Sequence, residues 1–325
     1  MKLPALRVAA LALMALLPAC CAAASIGIVT IVEGDMALLR EARQFAAAEG
    51  LRVRDGDILR TGEQTRLARV ELSDGSTLDL GPDTELLLQP HAGGAFAERA
   101  ATLYLARGWL KIGAGQDPGV SGVASATLDL RQLAGTAVLH VASGTATVFV
   151  ESGSAQTVEM QAGRESATRS LREGDALVKR ANDAATVARR PPAEWLHELP
   201  RAFADSLPRR AARFQASPVE PGAGTPVDYA SATSWINGEP ALRALAVQRF
   251  APRASDRAFR AALLRDLRAH PEWHRVLFPE RFLPRPPAVA RGWAVQDTPL
   301  VSLQGLLAWP GAGRESTTKP TMETR

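Results

Sequence analysis

From residue 26 onward, apolar and polar positions alternate with a period of two, and glycines interrupt the pattern at short intervals. Ala68, Val70 and Leu72 alternate with Arg69 and Glu71, and Leu78 and Leu80 alternate with Thr77 and Asp79. Asp74-Gly75 lies between the two runs and tolerates the positive φ of a tight turn. The stretch therefore predicts a hairpin with one apolar face. Val53, Ile58 and Leu59 flank a second turn, Asp55-Gly56-Asp57, and Thr61-Gly62 closes that unit. Farther on, Leu103-Tyr104-Leu105 and residues 109–112 bracket Arg107-Gly108. Runs at 138–141, 145–150 and 157–160 are separated by Ser143-Gly144 and Ser152-Gly153. Residues 38–49 are the one stretch here with an ambiguous helical pattern. Short strands with turns every ~8–12 residues predict a mainly β N-terminal domain over residues 25–188, as a sandwich, roll or solenoid. The turn makers Gly56, Asp57, Thr61, Gly62, Asp74 and Gly75 are assigned to structure rather than to ligand contact.

After Arg189-Arg190-Pro191-Pro192 the period changes. Trp195, Leu196, Leu199 and Phe203 follow helical spacing, with Pro200 restarting the helix. Residues 217–226, rich in proline and glycine, read as linker, so 189–226 is a helix plus linker. Pro240 suits a first helical turn, and Leu242, Leu245 and Phe250 continue it. Ser255 is the expected cap of the next helix, with Phe259, Leu263 and Leu267 at i, i+4 and i+8 and Pro271 as its stop. Trp273, Leu277 and Phe278 form a last turn. A small α-helical C-terminal domain is expected over 227–283, followed by a disordered tail over 284–325.

The N-terminus reads as an address. Lys2 and Arg7 precede an apolar run at 8–17, Pro18 ends it, and Ala22-Ala23-Ala24 offers a small-residue exit. Residues 1–24 are expected to be a secretory signal peptide cleaved between Ala24 and Ser25, which places the mature chain in the periplasm of a bacterium. Leu17-Pro18-Ala19-Cys20 resembles a lipobox, so membrane attachment is expected only if Cys20 is lipidated. Cys20 and Cys21 are the only two cysteines of 325 residues, which excludes a disulfide scaffold and cysteine-based zinc modules.

A net charge of +4 is too small to argue for nucleic acid. It is unevenly placed: residues 189–291 hold 17 arginines against 10 acidic residues. A solvated face is the ordinary reading, and contact with anionic wall polymer or lipid headgroups is the sharper one. The five histidines, His91, His140, His197, His270 and His274, form no recognised catalytic set. In His270-Pro271-Glu272-Trp273-His274 the glutamate is one place late for a zinc-protease helix, and proline interrupts. Gly119-Val120-Ser121-Gly122 is not a nucleophile elbow, and the glycines from Gly113 to Gly119 lack a following helix to receive phosphate. No catalytic, cofactor-binding or metal-binding residue is assigned, and no cofactor is expected.

Four blocks in order carry a resemblance. They are residues 26–34 (Ile-Gly-Ile-Val-Thr-Ile-Val-Glu-Gly), 53–62 around Asp55-Gly56-Asp57, 68–76 ending in Asp74-Gly75-Ser76, and Leu78-Asp79-Leu80-Gly81-Pro82. Together they resemble the FecR domain, a periplasmic sensory module, over about residues 26–89. FecR regulators carry a cytoplasmic sigma-factor-binding segment and a membrane span before this domain. Here the domain follows the leader directly, so the resemblance implies an exported β module without the sigma-regulating role. The expected function is non-catalytic binding or scaffolding in the cell envelope, with an envelope protein or cell-wall polymer as partner. The alternatives are FecR-type signalling through protein contacts, or a hydrolase using His270, Glu272 and His274.

Overall fold

The computed structural model describes residues 24–88, 99, 101–115, 122–217 and 219–283. Residues 1–23 with Cys20 and Cys21, residues 89–98 with His91, residues 116–121 and residues 284–325 lie outside the described residues.

The N-terminal part is mainly β. Its first strands are β1 (Ser25–Glu33), β2 (Met36–Arg40), β3 (Arg43–Ala46), β4 (Arg52–Arg54), β5 (Ile58–Thr61), β6 (Leu67–Leu72), β7 (Thr77–Leu80) and β8 (Glu85–Leu88). β1 pairs with β4 and β6, and β6 pairs with β7 across Asp74-Gly75. β9 (Leu103–Gly113) exchanges partners along its length, pairing with β8 in its first half and β7 in its second. β8 leads through β5 and β2 to β3. Residues 38–49 are thus not helical: Leu38 and Leu39 lie in β2, and a turn with Glu41 at φ 55° returns the chain into β3.

The second half of the sheet is a meander. β10 (Gly122–Ala124) joins β9 to β11 (Leu128–Ala142), which forms a long hairpin with β12 (Thr145–Gln161). β12 also pairs with β13 (Arg164–Arg172) and β14 (Ala176–Arg180), and β14 with β15 (Thr186–Ala188). These strands are longer than the expected short ones, because two of the glycine breaks, Arg107-Gly108 and Ser152-Gly153, lie inside continuous strands beside bulges rather than at turns. Gly153 lies opposite Gly135, and a Cβ on Gly153 would stand 1.8 Å from the Ala134 carbonyl oxygen. A bulge bends and twists a strand without ending its ladder. Gly108 likewise lies inside β9, next to the register shift opposite Glu85 and Leu86.

Period-two packing sets the cores. Leu38, Leu59, Leu86, Leu88, Leu103 and Leu105 point into the inner sheet core with Val29, Val53, Val70 and Leu80. Their sequence neighbours Leu39, Ile58, Leu87 and Tyr104 face the opposite way, so these strands are apolar on both sides. That second face is covered by α2 (Tyr229–Ile236), α3 (Pro240–Phe250), α4 (Arg257–Arg265), the 3-10 turn Pro271–Trp273 and α5 (His274–Leu277), through Trp235, Phe250, Phe259, Trp273 and Leu277. A third cluster joins Ile31, Leu67, Trp109 and Val138 of the sheet to Trp195 and Phe203. Trp195 belongs to the short helix at Ala193–Glu198 (α1) and Phe203 to the 3-10 turn after Pro200.

The expected linker at 217–226 contains a parallel bridge from Val219 to Leu51 and a two-residue strand, Thr225–Pro226, on β3. Pro240 occupies the first turn of α3. Asp256, not Ser255, caps α4: its carboxylate accepts the Phe259 N–H at 2.9 Å, while Ser255 ends the preceding 3-10 turn. Asp is as good a cap as Ser, and one position decides. The described residues up to Phe282 form one compact unit. Among them no helix is long and apolar enough to cross a membrane.

Candidate functional site

The middle of β9, the end of β11 and the loops at Glu63 and Asp83 line an open groove of about 430 Å³, with Glu63, Asp83, Arg107, Trp109, His140 and Ser143 among its residues. Every lining residue comes from the β module. Trp109 on β9 and His140 on β11 are direct cross-strand partners, and their rings stack at 3.8 Å with an interplanar angle of 11°. Trp195 of α1 packs against Trp109, with ring centroids 5.2 Å apart. Burial lowers the pKa of His140, because desolvation penalises the imidazolium.

The rim is ionic. Arg107 binds both carboxylate oxygens of Asp83 and, 3.1 Å away, the buried carboxylate of Glu85. The other Glu85 oxygen accepts a hydrogen bond from Ser234 of α2. A chain of polar contacts thus runs from the exposed rim to the helices. Gly108 makes the approach possible: φ is +92°, and a Cβ there would stand 2.4 Å from the Thr84 Cα. Thr84 in turn accepts the Trp109 N–H at 2.9 Å.

Two further clefts lie between the sheet and the chain after residue 200. One of about 420 Å³ is lined by Ser25, Arg52, Glu71, Ser73, Gly75 and Arg209. The other, of about 350 Å³, is lined by Arg40, Arg54, Asp55, Gly56, Asp57 and Arg249. Arg249 donates to the Gly56 carbonyl, and burial depresses its pKa. Asp57 takes Arg40 in a two-pronged pair at 2.8 and 2.7 Å and also accepts the Arg54 N–H.

The turn makers therefore divide by location. Gly56, Asp57 and Gly75 lie against the C-terminal segment. Asp74 accepts the Ser76 N–H at 2.8 Å and so shapes its own turn. Thr61 donates to the Gly81 carbonyl at 2.7 Å and accepts the Thr84 N–H, and the Gly62 N–H reaches the Asp35 carbonyl, so these two brace the groove loops. Ala24 is exposed, and Ser25 opens β1 with its hydroxyl on the Gly27 carbonyl.

Of the histidines, His197 is exposed and His270 is buried. Glu272 lies 3.2 Å from Arg243, and the His274 ring packs on Phe278. Among the described residues no group of three or more His, Cys, Asp or Glu side chains is placed to hold a metal ion. Sequence reasoning missed Glu63, Asp83, Arg107, Trp109 and Ser143 as groove residues. The visible signal was the arginine-glycine-tryptophan interruption at 107–109.

No protein-family model matches the chain, and no curated protein matches it. Two crystal structures, each described as "a putative anti-sigma factor from Parabacteroides distasonis ATCC 8503", at 2.50 Å and 1.65 Å, are similar in part. The first is 14% identical over 41% of this chain and 59% of its own, with a TM-score of 0.33. The second is 13% identical over 44% and 64%, with a TM-score of 0.35. The chain thus spans less than two thirds of either.

Proposed function

We propose that this is an exported envelope protein whose β module binds a partner without catalysing a reaction, with a cell-wall polymer as the partner favoured. The observation that carries the reading is the groove at β9 and β11. It is open, it is built only from the module, and it combines a paired aromatic and imidazole wall with charged and hydroxyl groups at the rim. Recognition sites are commonly loops held by a rigid scaffold. The leader and the FecR-like blocks support placement outside the cytoplasm.

The test is retention of the mature chain, from Ser25 onward, on intact peptidoglycan and on immobilised periplasmic extract. Retention on the polymer that falls at least tenfold in Arg107→Ala and His140→Ala supports the reading. Retention that both variants keep in full overturns the groove as the contact. A second reading, signalling through protein contact, is favoured by the polar chain Asp83–Arg107–Glu85–Ser234, through which a rim occupant would be felt at α2. Protease treatment of spheroplasts tests it: signalling needs a protected fragment, and complete digestion rules it out.

A further inference from the structure

The outer face of α4 and the turn beyond α5 carry exposed arginines and exposed large apolar side chains together. α4 buries Phe259, Ala262 and Leu263 and leaves Arg257, Ala261, Leu264 and Arg265 exposed, spaced as one helical face, with Arg268 one turn on. Arg260 ties this helix to α5 by donating to the Leu277 carbonyl at 2.6 Å. Its guanidinium and that of Arg281 both lie on the Phe278 ring, at 6.0 and 4.5 Å from the centroid. That contact sets the exposed residues Arg275, Arg281 and Phe282 beside α4.

Five exposed arginines, 257, 265, 268, 275 and 281, have no carboxylate within ion-pair distance among the described residues, while the exposed acids of these elements are Asp266 and Glu280. Among the arginines stand large apolar side chains exposed to water, Leu264 at 42% and Phe282 at 51% exposure.

We propose that this face docks on the surface of a bilayer containing anionic phospholipid, independently of the groove. Arginine supplies the charge complementarity, and its long stem lets the guanidinium reach headgroup phosphate while leucine and phenylalanine enter the acyl boundary. An anionic polysaccharide would meet the arginines equally well but would leave Leu264 and Phe282 unused. The interleaving therefore favours lipid.

The experiment is flotation of the mature chain with vesicles of phosphatidylglycerol and phosphatidylethanolamine, with pure phosphatidylcholine vesicles and insoluble peptidoglycan as parallel arms. Binding is expected on the anionic vesicles only and should weaken with salt. Arg265→Ala with Arg268→Ala should lower partition by about 30-fold, at ~1 kcal/mol per arginine near the surface. Leu264→Ser with Phe282→Ser should lower it at constant charge. Both pairs are exposed, and an unchanged melting curve confirms that they fold. Equal binding to both vesicle types, retention on peptidoglycan alone, absence of vesicle binding, or full binding by either double variant overturns the proposal. Arg107→Ala should float like the parent, which separates this face from the groove.

Discussion

Glu71 on β6 accepts the backbone N–H groups of Arg210 and Ala211 at 2.7 and 3.1 Å, across about 140 residues of sequence. One carboxylate thus holds the start of a 3-10 turn (Ala211–Phe214) on the outside of the sheet. Arg69 two places earlier donates to the Leu207 carbonyl at 3.0 Å, and Lys111 donates to that of Phe203. Hydrogen bonds to a charged group contribute about 1.5–3 kcal/mol. Glu71→Ala is therefore expected to cost about that much and to loosen residues 205–215. Limited trypsin digestion should show faster cleavage after Arg209, Arg210 and Arg213, and unchanged cleavage there would refute the clasp.

The buried ion pairs should respond very differently from the exposed ones. Arg99 pairs with Asp129, whose side chain is fully buried, and with Glu239 just before α3. Removing one partner strands the other, so Arg99→Ala is expected to destabilise by about 3–5 kcal/mol. Arg66 and Glu33 lie 3.6 Å apart with side chains 79% and 48% exposed. Arg66→Ala should change stability by less than ~0.5 kcal/mol, because solvent screens such a pair. Chemical denaturation of both variants checks the contrast, which similar midpoints would contradict.

Much of the sheet is readable because alternation reports directly on a half-buried strand, as at Ala68, Val70 and Leu72. What alternation does not report is whether the polar face is covered. Arg69, Glu71 and Asp79 occupy the polar positions of the predicted hairpin, yet all three are buried beneath or beside the chain after residue 200. The uninterrupted run Leu86-Leu87-Leu88 did carry a sign of two covered faces, since strands buried on both sides lose their alternation. The covering residues, Trp235, Phe250 and Trp273, lie far downstream, and no local spacing links them to it. The groove is harder still, because Glu63, Asp83, Arg107 and His140 meet only through strand pairing. The basic excess is partly structural: Arg249, Arg253 and Arg260 bind the carbonyls of Gly56, Val227 and Leu277.

His140 gives the groove a pH dependence of known sign. Burial holds its pKa below the ordinary histidine value of 6.5, so the folded state binds fewer protons than the unfolded chain as pH falls. Its contribution to stability is complete above 6.5 and is lost as pH falls through the folded value. Stability should decline with acidification below pH 6.5 more steeply in the parent than in His140→Phe, which keeps a ring against Trp109. Parallel melting curves at pH 5 and pH 7 are the check. Identical slopes for parent and variant would show that the imidazole does not titrate in this way.

The narrowest tolerance in the groove is at Gly108. Two constraints act there at once: a φ of +92° that side-chain-bearing residues rarely adopt, and a space already filled by the Thr84 Cα and the Asp83 carbonyl oxygen, 2.4 and 2.5 Å from any added Cβ. Gly108→Ala is expected to cost more than about 1 kcal/mol from the backbone conformation alone. It should also push the 82–84 loop off β9, because the obstructing atoms are backbone rather than a flexible side-chain tip. That shift would pull Asp83 from Arg107 and widen the rim, so ligand retention should fall even at temperatures where the variant remains folded. By contrast Gly163→Ala, at φ +75° with nothing within 4 Å of the new Cβ, carries the conformational strain without the collision. Comparing the two by melting temperature and by retention separates strain from displacement. Equal loss of retention in both would show that the groove does not depend on the close approach at Gly108.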